Sequence, residues 1–133
     1  MKRYLLDTCA LIWYIDNNKR IKPIAEDIEY YQGDFAVSIE SLKEFVYLMH
    51  SGKLKFEIDF KKLVSALEKG NISILPFHEH ELKCLFKLPF FKEHPDPTDR
   101  QIIATAIATK RTLISGDSRF PLYNKAGLSY KEI

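Results

Sequence analysis

Arg3-Tyr4-Leu5-Leu6-Asp7-Thr8-Cys9-Ala10-Leu11-Ile12-Trp13-Tyr14-Ile15 opens the chain, and its reading decides the fold. Residues 3–7 form an apolar run that stops on an acid, the pattern of a short buried strand. Thr8 to Ile15 read as a helix that is apolar nearly all round. A helix without a polar face is sandwiched between other elements. A buried strand running straight into a buried helix points to helices packed on both faces of a parallel sheet.

The alternation continues outward from that start. Asp16-Asn17-Asn18 stops the first helix, and Pro23 suits the first turn of a second, through about Tyr31, with Gly33 after its end. Phe35 to Ser38 read as a strand and Ser41 to His50 as a helix ended by Ser51-Gly52. Lys53 to Asp59 form a linker, and Phe60 to Glu68 a helix closed by Gly70. Ile72 to Leu75 are a third strand and Glu79 to Lys87 a further helix. A Pro-rich loop from Leu88 to Pro97 carries His94 and Asp96. Asp99 to Thr109 are a helix with its apolar stripe at Ile102, Ile103, Ala106 and Ile107. Thr112 to Ser115 are a fourth strand, followed by a loop, a short turn near Phe120-Leu122 and a weak last strand. The expected architecture is a three-layer α/β/α sandwich around a mostly parallel central sheet of four to five strands. One domain is expected to span residues 1–133.

Composition narrows the function classes. An apolar content of 46% with 29% charged residues excludes a disordered chain. A net charge of +2 permits nucleic acid as a partner without implying it. Cys9 and Cys84 read as reduced core thiols, not as a disulfide framework. The first strand begins at once after Met1-Lys2-Arg3, so no signal peptide is expected, and the apolar runs are too short to span a bilayer. A cytoplasmic location is expected.

Four carboxylates fall where such a fold builds its site: Asp7 at the end of the first strand, Glu44 early in a helix, Asp99 opening another, and Asp117 after the fourth strand. Ligands bind an open parallel sheet at the carboxyl ends of its strands. Acids gathered there repel one another unless a cation lies between them. Oxygen-only ligands suit Mg²⁺ or Mn²⁺, so the pattern points to metal-assisted phosphodiester chemistry. Each acid also has an ordinary structural reading. Asp7 can cap a helix, Ser41-Leu42-Lys43-Glu44 fits a capping box, Thr98 can cap the helix that Asp99 opens, and Asp96 and Asp117 can sit in turns. His94 and Arg100 are weaker candidates, a lone loop histidine being more often a surface residue. The ordinary readings lose weight together, because all four acids fall on one edge.

The chain resembles the PIN-domain ribonucleases, and within them the VapC-type toxins of bacterial toxin–antitoxin pairs. Leu5-Leu6-Asp7-Thr8 followed by Leu11-Ile12-Trp13 is similar to the opening LLDT…LxW of that family. Ser38 to Glu44 with Gly52-Lys53-Leu54 resembles the region of the second acid. His94-Pro95-Asp96-Pro97-Thr98-Asp99-Arg100 leading into Ile103-Ala104-Thr105-Ala106 resembles the HxDPFDR signature, and Leu113 to Phe120 the closing LxTxDxxF element. Cys9, Thr98, Ser115 and Leu48 depart from the pattern, but no acid is lost. The resemblance implies that Asp7, Glu44, Asp99 and Asp117 bind one or two Mg²⁺ or Mn²⁺ ions, supported by Ser115, Thr8 and Asp96, and that the reaction is RNA hydrolysis. It also implies a small antitoxin encoded nearby. Trp13, Tyr14 and Ile15 with Leu54, Phe56 and Phe60 offer an apolar surface for such a partner, and a homodimer is expected. Lys83 and Lys87 could follow phosphates.

Two rival readings fit the residues less well. A phosphatase of the haloacid-dehalogenase type requires a second Asp two positions after the first, where this chain has Cys9. A PIN fold kept only as a protein- or RNA-binding module has no need of acids at all four positions.

Overall fold

The computed structural model describes residues 1–133. Its centre is a sheet of five parallel strands: β1 (Arg3–Leu6), β2 (Asp34–Ser38), β3 (Ser73–Leu75), β4 (Thr112–Ser115) and β5 (Tyr130–Glu132), in the order β3-β2-β1-β4-β5. The expected architecture is therefore present, with the larger strand count and no antiparallel member. Six helices cover the sheet: α1 (Thr8–Ile15), α2 (Lys22–Glu29), α3 (Ile39–His50), α4 (Phe60–Lys69), α5 (Glu79–Lys87) and α6 (Pro97–Ala108). Two 3₁₀ segments, Lys19–Ile21 and Phe120–Ala126, fill connections.

Successive strand residues point to opposite faces, and the core divides accordingly. Tyr4, Leu6, Phe35, Val37 and Ile114 face one layer, with Leu11, Ile24, Ile28, Phe45, Leu63 and Leu67 from α1 to α4. Leu5, Ala36 and Leu113 face the other, with Ile102, Ile103 and Ala106 of α6 and with Phe120, Tyr123 and Leu128 of the tail. The continuous apolar runs of β1 and β4 are thus explained by burial on both sides.

The chain leaving β1 enters the first layer, whereas the chain leaving β4 enters the second. Between them the strand order reverses, which opens a crevice at the carboxyl ends. The Asp7 N–H donates to the Ile114 carbonyl at 3.1 Å and fixes the two strand ends side by side.

Helix starts correct several expectations. Ser38, not Ser41, caps α3, its hydroxyl accepting from the Ser41 N–H at 3.1 Å. The helix consequently begins two residues earlier than the Ser41 pattern suggested, and Glu44 is released from a capping box. Asp96, not Thr98, caps α6 by accepting from the Asp99 N–H at 3.0 Å, with Pro97 in the first helical position. Both cysteines are free thiols, but neither is in the core: Cys9 is exposed and Cys84 is half-buried.

Candidate functional site

Asp7 is 9% exposed and caps α1, its Oδ1 accepting from the Ala10 N–H at 2.8 Å. The capping reading of Asp7 is therefore correct. Burial pushes its carboxyl up to about 6, and the charges of Asp99 and Asp117 add to the rise; hydrogen bonds from Ser115 and Ala10 oppose it. Asp99 lies in the first turn of α6, and its carboxyl is likewise pushed up to about 6, first by desolvation and then by the charge of Asp96. Asp117 follows β4. Its carboxyl is held below the usual range by hydrogen bonds from Arg119. Glu44, half-buried on α3, lies close enough for its charge to act on Asp99 and Cys9. Of the four acids expected on one edge, Asp99 and Asp117 come closest together, beside His94, while Asp7 and Glu44 lie within range of their charges.

The centre of the cluster is a residue that the sequence reading undervalued. His94 is fully buried, not on the surface. Its Nε2 lies 3.2 Å from Asp99 Oδ2 and 3.3 Å from Asp117 Oδ2, and its Nδ1 is 2.9 Å from the Tyr123 hydroxyl. In the tautomer with its proton on Nε2, His94 donates to both carboxylates. His94, Asp99 and Asp117 can offer donor atoms within 4.8 Å of one another. Tyr123 reaches this site because the 3₁₀ segment buries it completely. The only sequence signal for His94 is its place at the head of the His94–Arg100 motif; Tyr123 carries none.

The supporting residues divide by role. Ser115 is buried and its hydroxyl accepts from the Asp117 N–H at 3.0 Å, which sets the turn that carries Asp117. Gly116 sits where a Cβ would collide with the Trp13 ring, so the chain there requires glycine for close approach. Asp96 is exposed and acts as the cap that places Asp99. Thr8 is buried and its hydroxyl oxygen has no hydrogen-bond partner. Arg100 turns away from the acids and donates to the Pro89 carbonyl at 2.7 Å. Cys9 stands beside the cluster; partial desolvation, then the charges of Asp7, Asp99, Glu44 and Asp117, push its thiol up to about 11. It is therefore protonated at neutral pH and is a poor nucleophile.

The model for the PIN domain matches residues 4–126 of this chain. The chain belongs to the PIN domain family. No curated protein matches its sequence. Among solved structures it is similar to VapBC2 from Rickettsia felis bound to a DNA fragment from the promoter, at 17% identity, TM-score 0.72, and coverage of 98% of each chain. It is similar to DNA-bound VapBC from Salmonella typhimurium at 16% identity and TM-score 0.67, covering 99% of this chain and 98% of that one. VapBC-5 from Mycobacterium tuberculosis matches at 17% identity and TM-score 0.57, covering 98% and 96%. At these identities the likeness concerns the fold.

The residues at the edge of the PIN sheet fit a divalent cation. Two carboxyls are pushed up by burial first and by neighbouring acids second, both of which a bound cation would offset. The buried Thr8 hydroxyl without a partner adds an unused oxygen next to Asp7. The donors are mainly carboxylate oxygens, a set that suits Mg²⁺ or Mn²⁺ better than Zn²⁺.

Proposed function

We propose that this PIN domain is a metal-dependent ribonuclease that hydrolyses RNA phosphodiester bonds and serves as the toxin of a toxin–antitoxin pair. The observation that carries the reading is the convergence of Asp7, Asp99 and Asp117 on the crevice between β1 and β4, with Asp7 and Asp99 both pushed up to about 6. Asp7, Glu44, Asp99 and Asp117 would hold Mg²⁺ or Mn²⁺. Such an ion supplies a water of lowered pKa and neutralises charge on the phosphoryl oxygens. The chain itself does the positioning. Asp96 and Pro97 set the first turn of α6 so that Asp99 faces the crevice, and Ser115 and Gly116 set the turn bearing Asp117. The α1 cap at Asp7 holds one carboxyl oxygen in place.

A protein partner is supported by the surface beside α1 and the α3–α4 linker. Two adjoining clefts of about 460 and about 220 Å³ share Leu54 and Phe56. Met49 and Ile58 line one, Ile12 and Trp13 the other. These apolar walls suit the apolar face of an antitoxin helix. A homodimer is supported by Leu82, Phe86 and Phe90, large apolar side chains exposed on and just after α5. No helix is long and apolar enough to cross a membrane, and the cytoplasm is the proposed working place.

The test is cleavage of a labelled RNA by the purified protein. Cleavage is expected with Mg²⁺ or Mn²⁺, is expected to stop in EDTA, and is expected to be lost in Asp99→Asn. Cleavage undiminished by that substitution would remove the acid cluster from the chemistry. For the biology, co-expression with a small gene directly upstream should relieve growth arrest and give a co-purifying complex. A wild-type protein harmless to cells and without such a partner would leave a nuclease but no toxin.

A further inference from the structure

Asp117 is already occupied. Its Oδ1 accepts from the Arg119 N–H at 2.8 Å and from Arg119 Nε at 3.0 Å, and its Oδ2 accepts from Arg119 Nη2 at 2.7 Å. One guanidinium fork thus covers both carboxylate oxygens, the geometry in which arginine competes best for a carboxylate. His94 Nε2 shares Oδ2 at 3.3 Å. The two partners differ in freedom. His94 is fully buried and tied to Tyr123, so it stays. The Arg119 side chain is 47% exposed, and its other anchor is a single bond from Nη1 to the Glu93 carbonyl at 2.9 Å.

Arg119 and His94 together make four contacts to the two oxygens, the full lone-pair capacity of a carboxylate, so a divalent ion that binds there must displace one of them. A polyanionic RNA approaching four carboxylates is also favoured by a positive group at the rim that meets its phosphates. We propose that Arg119 is a two-position residue, closed on Asp117 while no metal is bound, and turned outward to a substrate phosphate when metal takes that carboxylate. This inference rests on the reading of Asp117 as a metal ligand. In the closed position Arg119 lowers metal affinity and masks the acid. In the open position its planar fork is free to pair with two phosphate oxygens. Metal and RNA are then linked through one side chain, because binding of the first releases a contact for the second.

The experiment is a calorimetric titration of Mn²⁺, without nucleic acid, into wild type, Arg119→Gln, Arg119→Lys and Asp117→Asn. Arg119→Gln should bind Mn²⁺ about 5–10-fold more tightly than wild type, the size expected for loss of a competing charge-assisted pair. Arg119→Lys keeps the charge without the fork and should fall between. In the Asp117→Asn background, Arg119→Gln should add nothing. At saturating Mn²⁺ the KM for RNA should rise in Arg119→Gln with little change in kcat. Mn²⁺ affinity in Arg119→Gln equal to or weaker than wild type would overturn the proposal, as would an unchanged KM. Wild type that binds no Mn²⁺ would sink the metal-site reading as well. Tight wild-type binding with no gain in Arg119→Gln sinks this inference alone. Melting in EDTA confirms that each variant is folded.

Discussion

Asp34 and Asp7 stand at opposite ends of neighbouring strands, and their surroundings are inverted. At the amino edge, Arg111 grips Asp34 with both arms, Nη1 to Oδ1 at 3.1 Å and Nη2 to Oδ2 at 3.2 Å, and Arg3 adds a longer contact at 3.7 Å. Arg111 Nη1 also donates to the carbonyls of Tyr4 and Asp34, so one buried guanidinium joins β1, β2 and the start of β4. At the carboxyl edge, the four acids have only His94 and Arg119 near them, and both of those side chains contact Asp117. Asp7 has neither. The two edges use the same residue types for different ends. Where charge is matched, the contact fastens strands. Where acid is left in excess, the Asp7 and Asp99 carboxyls are pushed up, first by burial and then by neighbouring acids, which is the setting a bound cation would relieve.

Breaking the amino edge should have the largest effect. Arg111→Met leaves Asp34 and two carbonyls without their donor, and should cost about 3 kcal/mol, or roughly 10 °C in melting temperature. Circular dichroism melting measures it. A variant as stable as wild type would mean that the amino edge is not a fastening, and the contrast between the edges would collapse.

The carboxyl edge should respond in the opposite sense. A carboxyl raised from 3.8 to about 6 is protonated in the folded protein over a range where the unfolded chain has lost its proton. Metal-free stability should therefore fall as pH rises from about 4 to about 6, and the cost persists above that range. Asp7→Asn removes the Asp7 share while keeping a good helix cap, so in EDTA at pH 7.5 it should gain on the order of 2 kcal/mol. Asp7→Ala loses the cap too and should gain less. Chemical denaturation at pH 4 and pH 7.5 separates these effects. A destabilised Asp7→Asn at pH 7.5 would show that Asp7 is mainly a structural cap.

Why the acids are legible in the sequence and their partners are not follows from chain distance. Asp7, Asp99 and Asp117 sit at strand and helix ends, which local patterning locates directly. The twofold alternation of Leu5 and Leu6, or of Ala36 and Val37, likewise reveals both core faces. His94 is different. Its burial depends on Tyr123, 29 residues away, brought over it by a 3₁₀ segment that no hydrophobic period announces. Arg111 beside Lys110 looks like a basic turn until the sheet places it under Asp34, 77 residues earlier. The Ser38 cap was missed because Ser41 and Glu44 offered a better local pattern, and the tertiary position of β2 decided otherwise.

Two smaller effects sharpen the picture of how the carboxyl edge is held. Asp96→Ala should cost about 1 kcal/mol through loss of the α6 cap, and should weaken Mn²⁺ binding by misplacing Asp99. Tyr123→Phe keeps the ring and removes the hydroxyl partner of His94, and should cost somewhat less than 1 kcal/mol. Thermal melts with and without Mn²⁺ distinguish the two. A metal affinity untouched by Asp96→Ala would make that cap irrelevant to the site.

The most direct test of the central claim, that the excess acid of the carboxyl edge is a divalent-metal centre, is thermal melting of wild type and Asp7→Asn across a Mn²⁺ titration at pH 7.5. Wild type should melt lower than Asp7→Asn in EDTA and then rise, gaining about 2.7 kcal/mol once Mn²⁺ reaches a hundredfold excess over its Kd, while Asp7→Asn gains little. A wild-type melting temperature that does not move with Mn²⁺ or Mg²⁺, or that moves equally in Asp7→Asn, would contradict the account.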